Sequence, residues 1–434
     1  MGHLVGKDLY RQVGCKVDGL TARAPWNETL RRIVKELFSE EEAEVFVRMP
    51  YSLSPFAHVA KVTGMEETKL RTLLDGMGDK GLVTDFWLGD GYWYMPSPLF
   101  IGLFEFTMMR TGEGVDSRLL GTLFNQYLED GAAFTANTQG GKRVFVERVL
   151  PHQEALGEHV EILDYEKASA IVDRSQRFAL GICSCRHEKQ HAGARGCRTP
   201  LEVCSTFGIA ADYMIRHKLA REVSKSEMRD NFARSRELGL VFCADNVQQG
   251  VMFVCQCCGC CCNALRAISR FGCTNFVTTS SFIADSDPAT CSGCGKCAKA
   301  CPIEAIRMVA DGDGVKPTAK KPRIDLDVCL GCGVCALKCD FRAMRLVNRP
   351  QRVLHPETTF QRVILQCLER GTLQNQLFDN PSSRTQGAVR AIIGAFLSLP
   401  VVKRALMSDA FRSRFLAAMS AGVRAQGRTK LLRF

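Results

Sequence analysis

The chain contains no run of 18 or more apolar residues, and residues 1–10 lack the apolar stretch of a secretory signal. A membrane-spanning helix needs about 20 such residues, so the sequence reads as a cytoplasmic protein that does not cross a bilayer. Nucleotide and flavin fingerprints are missing too. Gly76-Met77-Gly78-Asp79-Lys80-Gly81 matches G-x-G-x-x-G letter for letter. It closes a helical pattern and opens a strand, however, whereas a pyrophosphate needs a strand that leads into a helix N-terminus. Outside the tail there is little excess charge. Of the net +11, residues 349–434 hold +10 and residues 1–348 only +1, so the basicity is local and not a nucleic-acid signature of the whole chain. With 24% charged and 46% hydrophobic residues the composition excludes a disordered or fibrous chain. At 434 residues it exceeds one ordinary core, and roughly two to four domains are expected.

Cysteine is what the chain has in abundance, 22 residues in all. In a reducing compartment clustered cysteines bind metal or do redox chemistry more often than they form structural disulfides.

The hydrophobic pattern predicts an α+β multidomain protein. Residues 27–96 read as a winged-helix-like module. Ser39 and Glu42 form a capping box, Ser54 and Pro55 open a second helix that Gly64 closes, and a third helix covers 66–80 with Leu70, Leu73, Leu74 and Met77 on one face. Gly89-Asp90-Gly91 then joins two strands. The module has 8 basic and 12 acidic residues, a poor balance for neutralising phosphates, so a structural or protein-contact role is expected and nucleic acid is not an expected partner. Residues 97–284 read as an α/β Cys-rich domain with strands over 143–149, 160–163, 177–182 and 251–254. Helices are expected near 165–174, over 201–217 and from Ser224, capped by Glu227, toward Glu237. Residues 285–348 read as a ferredoxin-like insert, and 349–434 as a helical basic tail.

In the insert, Cys291-x2-Cys294-x2-Cys297-x3-Cys301-Pro302 is followed by Cys329-x2-Cys332-x2-Cys335-x3-Cys339. In such runs three thiolates hold one cubane and the fourth reaches across to the other. Cys291, Cys294, Cys297 and Cys339 are therefore expected on one [4Fe-4S] cluster, with Cys329, Cys332, Cys335 and Cys301 on the second. Paired C-x2-C units also bind zinc, but a duplicated run of four cysteines fits iron–sulfur better. Gly293, Gly295, Gly331 and Gly333 let the backbone turn closely around the cubanes, and Ile303 and Ile306 shield them. Asp340 stands where proline is expected, and a carboxylate there should lower a nearby potential. The segment resembles a bacterial two-cluster ferredoxin.

Ten more cysteines lie upstream, in Cys183-Ser184-Cys185, Cys197, Cys204 and Cys255-Gln256-Cys257-Cys258-Gly259-Cys260-Cys261-Cys262. A helix starting at Cys260 would put Cys258, Cys261 and Cys262 on one face. Cys204, in the first turn of the 201–217 helix, would gain thiolate character from the helix N-terminus. Arg186, Lys189, Arg195 and Arg198 would offset the thiolate charge. The set reads as one further iron–sulfur site, with two such sites, redox-active thiols or zinc as the alternatives. His187 and His191 are assigned to hydrogen bonding, and the isolated Cys15, Cys243, Cys273 and Cys367 to packing.

The whole layout, Cys-x-Cys-Arg-His-Glu, then Cys-Gln-Cys-Cys-Gly-Cys-Cys-Cys, then the ferredoxin repeat, resembles a family of cytosolic 4Fe-4S dicluster proteins of anaerobic metabolism. That resemblance implies iron–sulfur binding and electron transfer without naming a substrate. The expected function is an electron-transfer protein with two [4Fe-4S] clusters, a third upstream, and redox proteins as partners. The alternatives are a cluster-containing transcriptional regulator and a reductase, an oxidoreductase component whose active site is the upstream cysteines. In the tail, 391–402 is too short to span a bilayer. Phe411, Phe415, Ala418 and Met419 share a face near Lys403, Arg404, Arg412, Arg414 and Arg424. Such a helix suits an anionic membrane surface or an acidic protein as readily as its own body.

Overall fold

Strand alternation decides where the cysteines point. The computed structural model describes residues 8–112, 114–140, 142–158, 160–310, 320–353 and 355–433. In the N-terminal part the capping box at Ser39 and Glu42 opens the helix Glu40–Arg48. The short strand β1 (Ser54–Pro55) precedes the helix Phe56–Thr63, which ends at the left-handed Gly64. After the helix Glu67–Asp79 come β2 (Val83–Trp87) and β3 (Tyr92–Pro96), which form an antiparallel sheet in the order β1-β3-β2. The C-terminal end of the Glu67–Asp79 helix meets the segment that follows: Asp79 holds His217 at 2.7 Å, and Asp75 lies 3.7 Å from Arg216.

The centre is a six-stranded sheet made of β4 (Glu147–Leu150), β5 (Phe178–Ile182), β6 (Glu202–Phe207), β7 (Ala220–Glu222), β8 (Val241–Asp245) and β9 (Phe253–Cys257). Its order is β4-β8-β9-β6-β5-β7 and every pairing is antiparallel. One face buries Leu150, Leu180, Phe207, Phe242 and Val254 under the helices Ala168–Arg174 and Lys225–Glu237. Successive strand residues face opposite ways, so the other face carries Glu147, Cys204, Cys243, Cys255 and Cys257.

The ferredoxin segment is two hairpin-like ladders. β10 (Phe282–Ser286) pairs with β13 (Met344–Asn348), and β11 (Ile306–Ala310) with β12 (Lys320–Ile324). Short helices at Lys296–Ala300 and Val334–Leu337 stand between them, each begun by a left-handed glycine, Gly295 and Gly333. One continuous core runs from Val13 through Phe134 and Leu265 to Leu346, joining N-terminal, central and ferredoxin segments. The tail is helical, with Ile364, Leu368 and Leu397 packed against Phe415 and Met419. Ile392, Phe396, Leu399, Val401 and Phe411 remain exposed. No single helix is long and apolar enough to cross a membrane among the described residues.

Three local expectations are corrected. The expected helix over 201–217 begins only at Gly208, because residues 202–207 form β6 against β5. Cross-strand pairing of Cys204, Ser205, Thr206 and Phe207 outweighs the helical pattern, and Cys204 loses its place at a helix N-terminus. The helix expected from Cys260 begins at Asn263, with Cys262 as its preceding residue, so Cys258, Cys261 and Cys262 do not share a helical face. Residues 160–163 form no strand and lead into a 3-10 turn at Asp164–Glu166.

Candidate metal centres

The ferredoxin thiols gather in two sets. Cys291, Cys294, Cys297 and Cys339 line one cavity with Met308, Phe341 and Met344. Cys332 is pushed up by burial and by the neighbouring Cys335, Cys329 and Cys301, which marks the second set. Each run thus contributes its fourth cysteine to the other run's set. Gly331, at φ +70°, has no room for a side chain: a Cβ there would stand 2.1 Å from the Phe282 carbonyl oxygen. Asp340 is ion-paired with Lys296, and both are exposed.

Upstream, the sheet face builds a buried chamber of about 50 Å³. Cys243 on β8 lies opposite Cys255 on β9, and the β6–β9 register, Ser205 with Val254, sets Cys204 on the other side of Cys255. Cys257 is two residues along and therefore on the same face. Cys183, at the end of β5, and Cys185, in the helix Ser184–His191, complete the wall with Cys262. The Asn263 N–H points at the Cys185 sulfur from 3.5 Å, and the Cys185 and Cys262 thiols are hydrogen-bond neighbours. Burial pushes the Cys183 thiol up to about 12. Cys185, Cys255, Cys257 and Cys262 are raised as well, by neighbouring thiols and burial, which disfavours their thiolates, whereas a bound metal compensates the thiolate charge.

Two carboxyl groups in the chamber wall gave no signal in the sequence. Burial, followed by the charges of Glu105 and Asp245, pushes Glu147 up to about 8, and one of its oxygens has no hydrogen-bond partner. Glu105 is raised to about 7 by burial and accepts the Gly102 N–H at 3.1 Å. It is aimed by a kink in which Ile101 adopts φ +51°, a conformation costly for a β-branched residue, about 1–3 kcal/mol. Such strain sits at walls that function holds in place. The missed signals are physical ones: a lone Glu in an apolar stretch, and a C-x-C on a strand, which puts both thiols on one face.

Cys258, which also lines the chamber, belongs with the remaining upstream thiols to a tighter group. The sulfurs of Cys197, Cys258, Cys260 and Cys261 all lie within 4.8 Å of one another. Cys258 is pulled down to about 4 by a hydrogen bond from Cys261, against burial, with help from the Arg186 guanidinium. Of the expected basic cradle, Arg186 alone is seen to act on the thiols. Lys189 is bound to Asn125 at 2.8 Å and Glu188 at 3.1 Å, and Arg195 to Gln190 at 2.6 Å. His187 Nδ1–H donates to the Met108 carbonyl, 2.7 Å, and its Nε2 meets His191 Nε2 at 2.8 Å, the hydrogen-bonding role expected. Of the cysteines assigned to packing, Cys243, Cys273 and Cys367 are buried and Cys15 is exposed, with Cys243 against Cys257 behind the chamber wall.

Residues 290–343 match the family model of a 4Fe-4S dicluster domain. The chain is an iron–sulfur protein. No curated protein and no solved structure matches it significantly. The matched segment contains all eight repeat cysteines, and their crossed grouping has the donors that two [4Fe-4S] clusters need.

Beside this iron–sulfur protein's thiol chamber lies an apolar cavity of about 270 Å³, lined by Leu53, Phe86, Phe106, Met109 and Tyr213 among others. Glu105, Ser184, Cys204 and Cys255 belong to the walls of both. Arg428 of the tail closes one end, donating to the Leu53 carbonyl at 2.6 Å and to Asp379 at 3.2 Å.

Proposed function

We propose that the chain carries electrons from two clusters in its ferredoxin segment to a third iron–sulfur centre in the thiol chamber. Cys291, Cys294, Cys297 and Cys339 would hold the first cluster. Cys329, Cys332, Cys335 and Cys301 would hold the second, and Cys183, Cys185, Cys204, Cys255, Cys257 and Cys262 would supply the third. Clusters of this kind take up and release single electrons. The observation that carries the reading is contiguity. A Cβ on Gly259 would stand 2.4 Å from the carbonyl oxygen of Pro302, the residue after Cys301, so the upstream turn lies directly on the second cluster's loop. Cys243 stands between the two regions: a hydrogen bond with Cys257 lowers its thiol, but burial and the charges of Glu147, Cys262 and Cys332 outweigh it and raise the thiol to about 11. The reading is tested by low-temperature electron paramagnetic resonance of the reduced protein. A third signal that broadens by spin coupling to the ferredoxin signals, and that Cys255→Ala/Cys257→Ala abolishes, is expected. An unchanged spectrum in that variant contradicts it.

A reductase is the second reading, favoured by the shared wall of the chamber and the apolar cavity. An apolar substrate in that cavity would lie against Cys204 and Cys255, with Glu105 placed to hold or give a proton. Spectral changes of the third centre on adding apolar electron acceptors would support it. The N-terminal module has the helix and strand order of a winged helix. Its acidic balance and the contact of its third helix with His217 through Asp79 support a structural role, and salt-sensitive binding of mixed-sequence DNA by the module would contradict that. For the tail, the exposed Ile392, Phe396, Leu399 and Val401 beside Lys403 and Arg404 support an anionic membrane surface as partner, tested by sedimentation with anionic against neutral vesicles.

A further inference from the structure

The upstream cysteines divide by spacing. Cys197 Sγ lies 3.8 Å from Cys258 Sγ and 3.8 Å from Cys261 Sγ, and Cys260 Sγ lies 3.7 Å from Cys261 Sγ. Four thiolates bound to one zinc at about 2.3 Å sit at the corners of a tetrahedron whose edges are about 3.8 Å. On a cubane each thiolate stands on its own iron, so the sulfurs are held on the order of 6 Å apart. All four sulfurs of this group fall within 4.8 Å of one another, and no other such group occurs among the described residues. The ferredoxin thiols, all of them described, are therefore more widely spread.

We propose that Cys197, Cys258, Cys260 and Cys261 form a closed tetrathiolate site for a single zinc ion, distinct from the iron–sulfur centres. Four protein thiolates fill a tetrahedral ion and leave no open position, which is the arrangement of a structural rather than a catalytic zinc. The local sequence suits it. Cys258 and Cys261 are a C-x2-C pair, and backbone N–H groups point at the sulfurs: Cys261 toward Cys258, Thr199 toward Cys197 and Gly196 toward Cys261. Such N–H···S bonds fix thiolate ligands in place. Arg186 approaches Cys258 and reduces the net negative charge of a zinc bound by four thiolates.

The site has a mechanical consequence. Residues 193–200 have no regular secondary structure, and the tetrahedron would tie them to the turn 258–261. Gly196 is already pressed against Cys260, where an added Cβ would come within 3.2 Å of the Cys260 Cβ. That turn carries Gly259, which lies on Pro302, so one redox-inert ion would hold the contact between the two redox regions. The zinc assignment stands on the quartet's spacing alone and does not require a third iron–sulfur centre.

The test is metal analysis of anaerobically purified full-length protein with zinc-edge X-ray absorption. One zinc per chain, with about four sulfurs at about 2.3 Å and no metal–metal scattering, is expected. The paired variant Cys197→Ala/Cys260→Ala should lose that zinc and keep its iron, with faster amide exchange over 193–200. Should the variant fail to fold, the absorption spectrum of the unmodified protein decides alone. Absence of zinc, a single iron in its place, or loss of iron from the paired variant overturns the proposal. Zinc present with only about eight irons per chain would instead sustain this proposal and remove the third cluster.

Discussion

The ferredoxin segment and the upstream quartet both collect thiols in fours, but at different spacings. In the ferredoxin segment the sulfurs stay apart, and each set draws three ligands from one run and the fourth from the other. In the quartet three sulfur pairs close to 3.7–3.8 Å and all four sulfurs lie within 4.8 Å of one another. The same residue type thus prepares two kinds of centre, and spacing distinguishes them where composition does not. Wide sets suit a cluster that spreads an added electron over several irons. A tight set suits one ion that holds a loop.

The sharpest way to break this comparison is to remove ligands from each region in turn. Cys297→Ala and Cys335→Ala should each cost about four irons per chain, whereas Cys258→Ala/Cys261→Ala should cost one zinc and no iron, all measured by elemental analysis. A common loss of iron from all three would erase the distinction. Next in size is the chamber: Cys255→Ala/Cys257→Ala should remove about four further irons and leave zinc in place.

Two carboxylates sharpen the comparison through potentials. Glu147 is buried with an unpartnered oxygen, and Asp340 is exposed and paired with Lys296. A charge in a low-dielectric wall acts more strongly than a screened one. Burial holds Glu147 protonated below about 8, so Glu147→Gln should raise the potential of the chamber centre by more than Asp340→Asn raises that of the neighbouring ferredoxin cluster at about pH 9, where Glu147 is ionised, and should change it little at about pH 7. The Asp340→Asn shift should be on the order of tens of millivolts, read in redox titrations followed by paramagnetic resonance. Equal shifts at about pH 9 would mean that Glu147 does not face the centre.

The ferredoxin repeat was legible because its information is local: ligand spacing and turn glycines lie within one short segment. Helix boundaries marked by caps were legible for the same reason, as at Ser39 and Gly64. The upstream thiols were legible as metal-site candidates but not as two groups. Their partition depends on strand register, Cys243 against Cys255 and Cys204, and on a loop that brings Cys197 across more than 60 residues to Cys258. Residues 202–207 show the competing effect directly. A helical pattern yielded to pairing with β5, and with it Cys204 moved from a helix end to a sheet face. Glu105 and Glu147 carried no local motif, and only burial beside thiols gives them meaning.

The central claim is that electrons leave the ferredoxin segment for a further iron–sulfur centre upstream. Iron and acid-labile sulfide per chain, measured on anaerobically prepared protein together with low-temperature paramagnetic resonance after reduction, test it most directly. The account predicts about twelve irons with matching sulfide and a third reduced-cluster signal. About eight irons and two signals would contradict it, leaving a ferredoxin tethered to a chamber of unmetallated thiols.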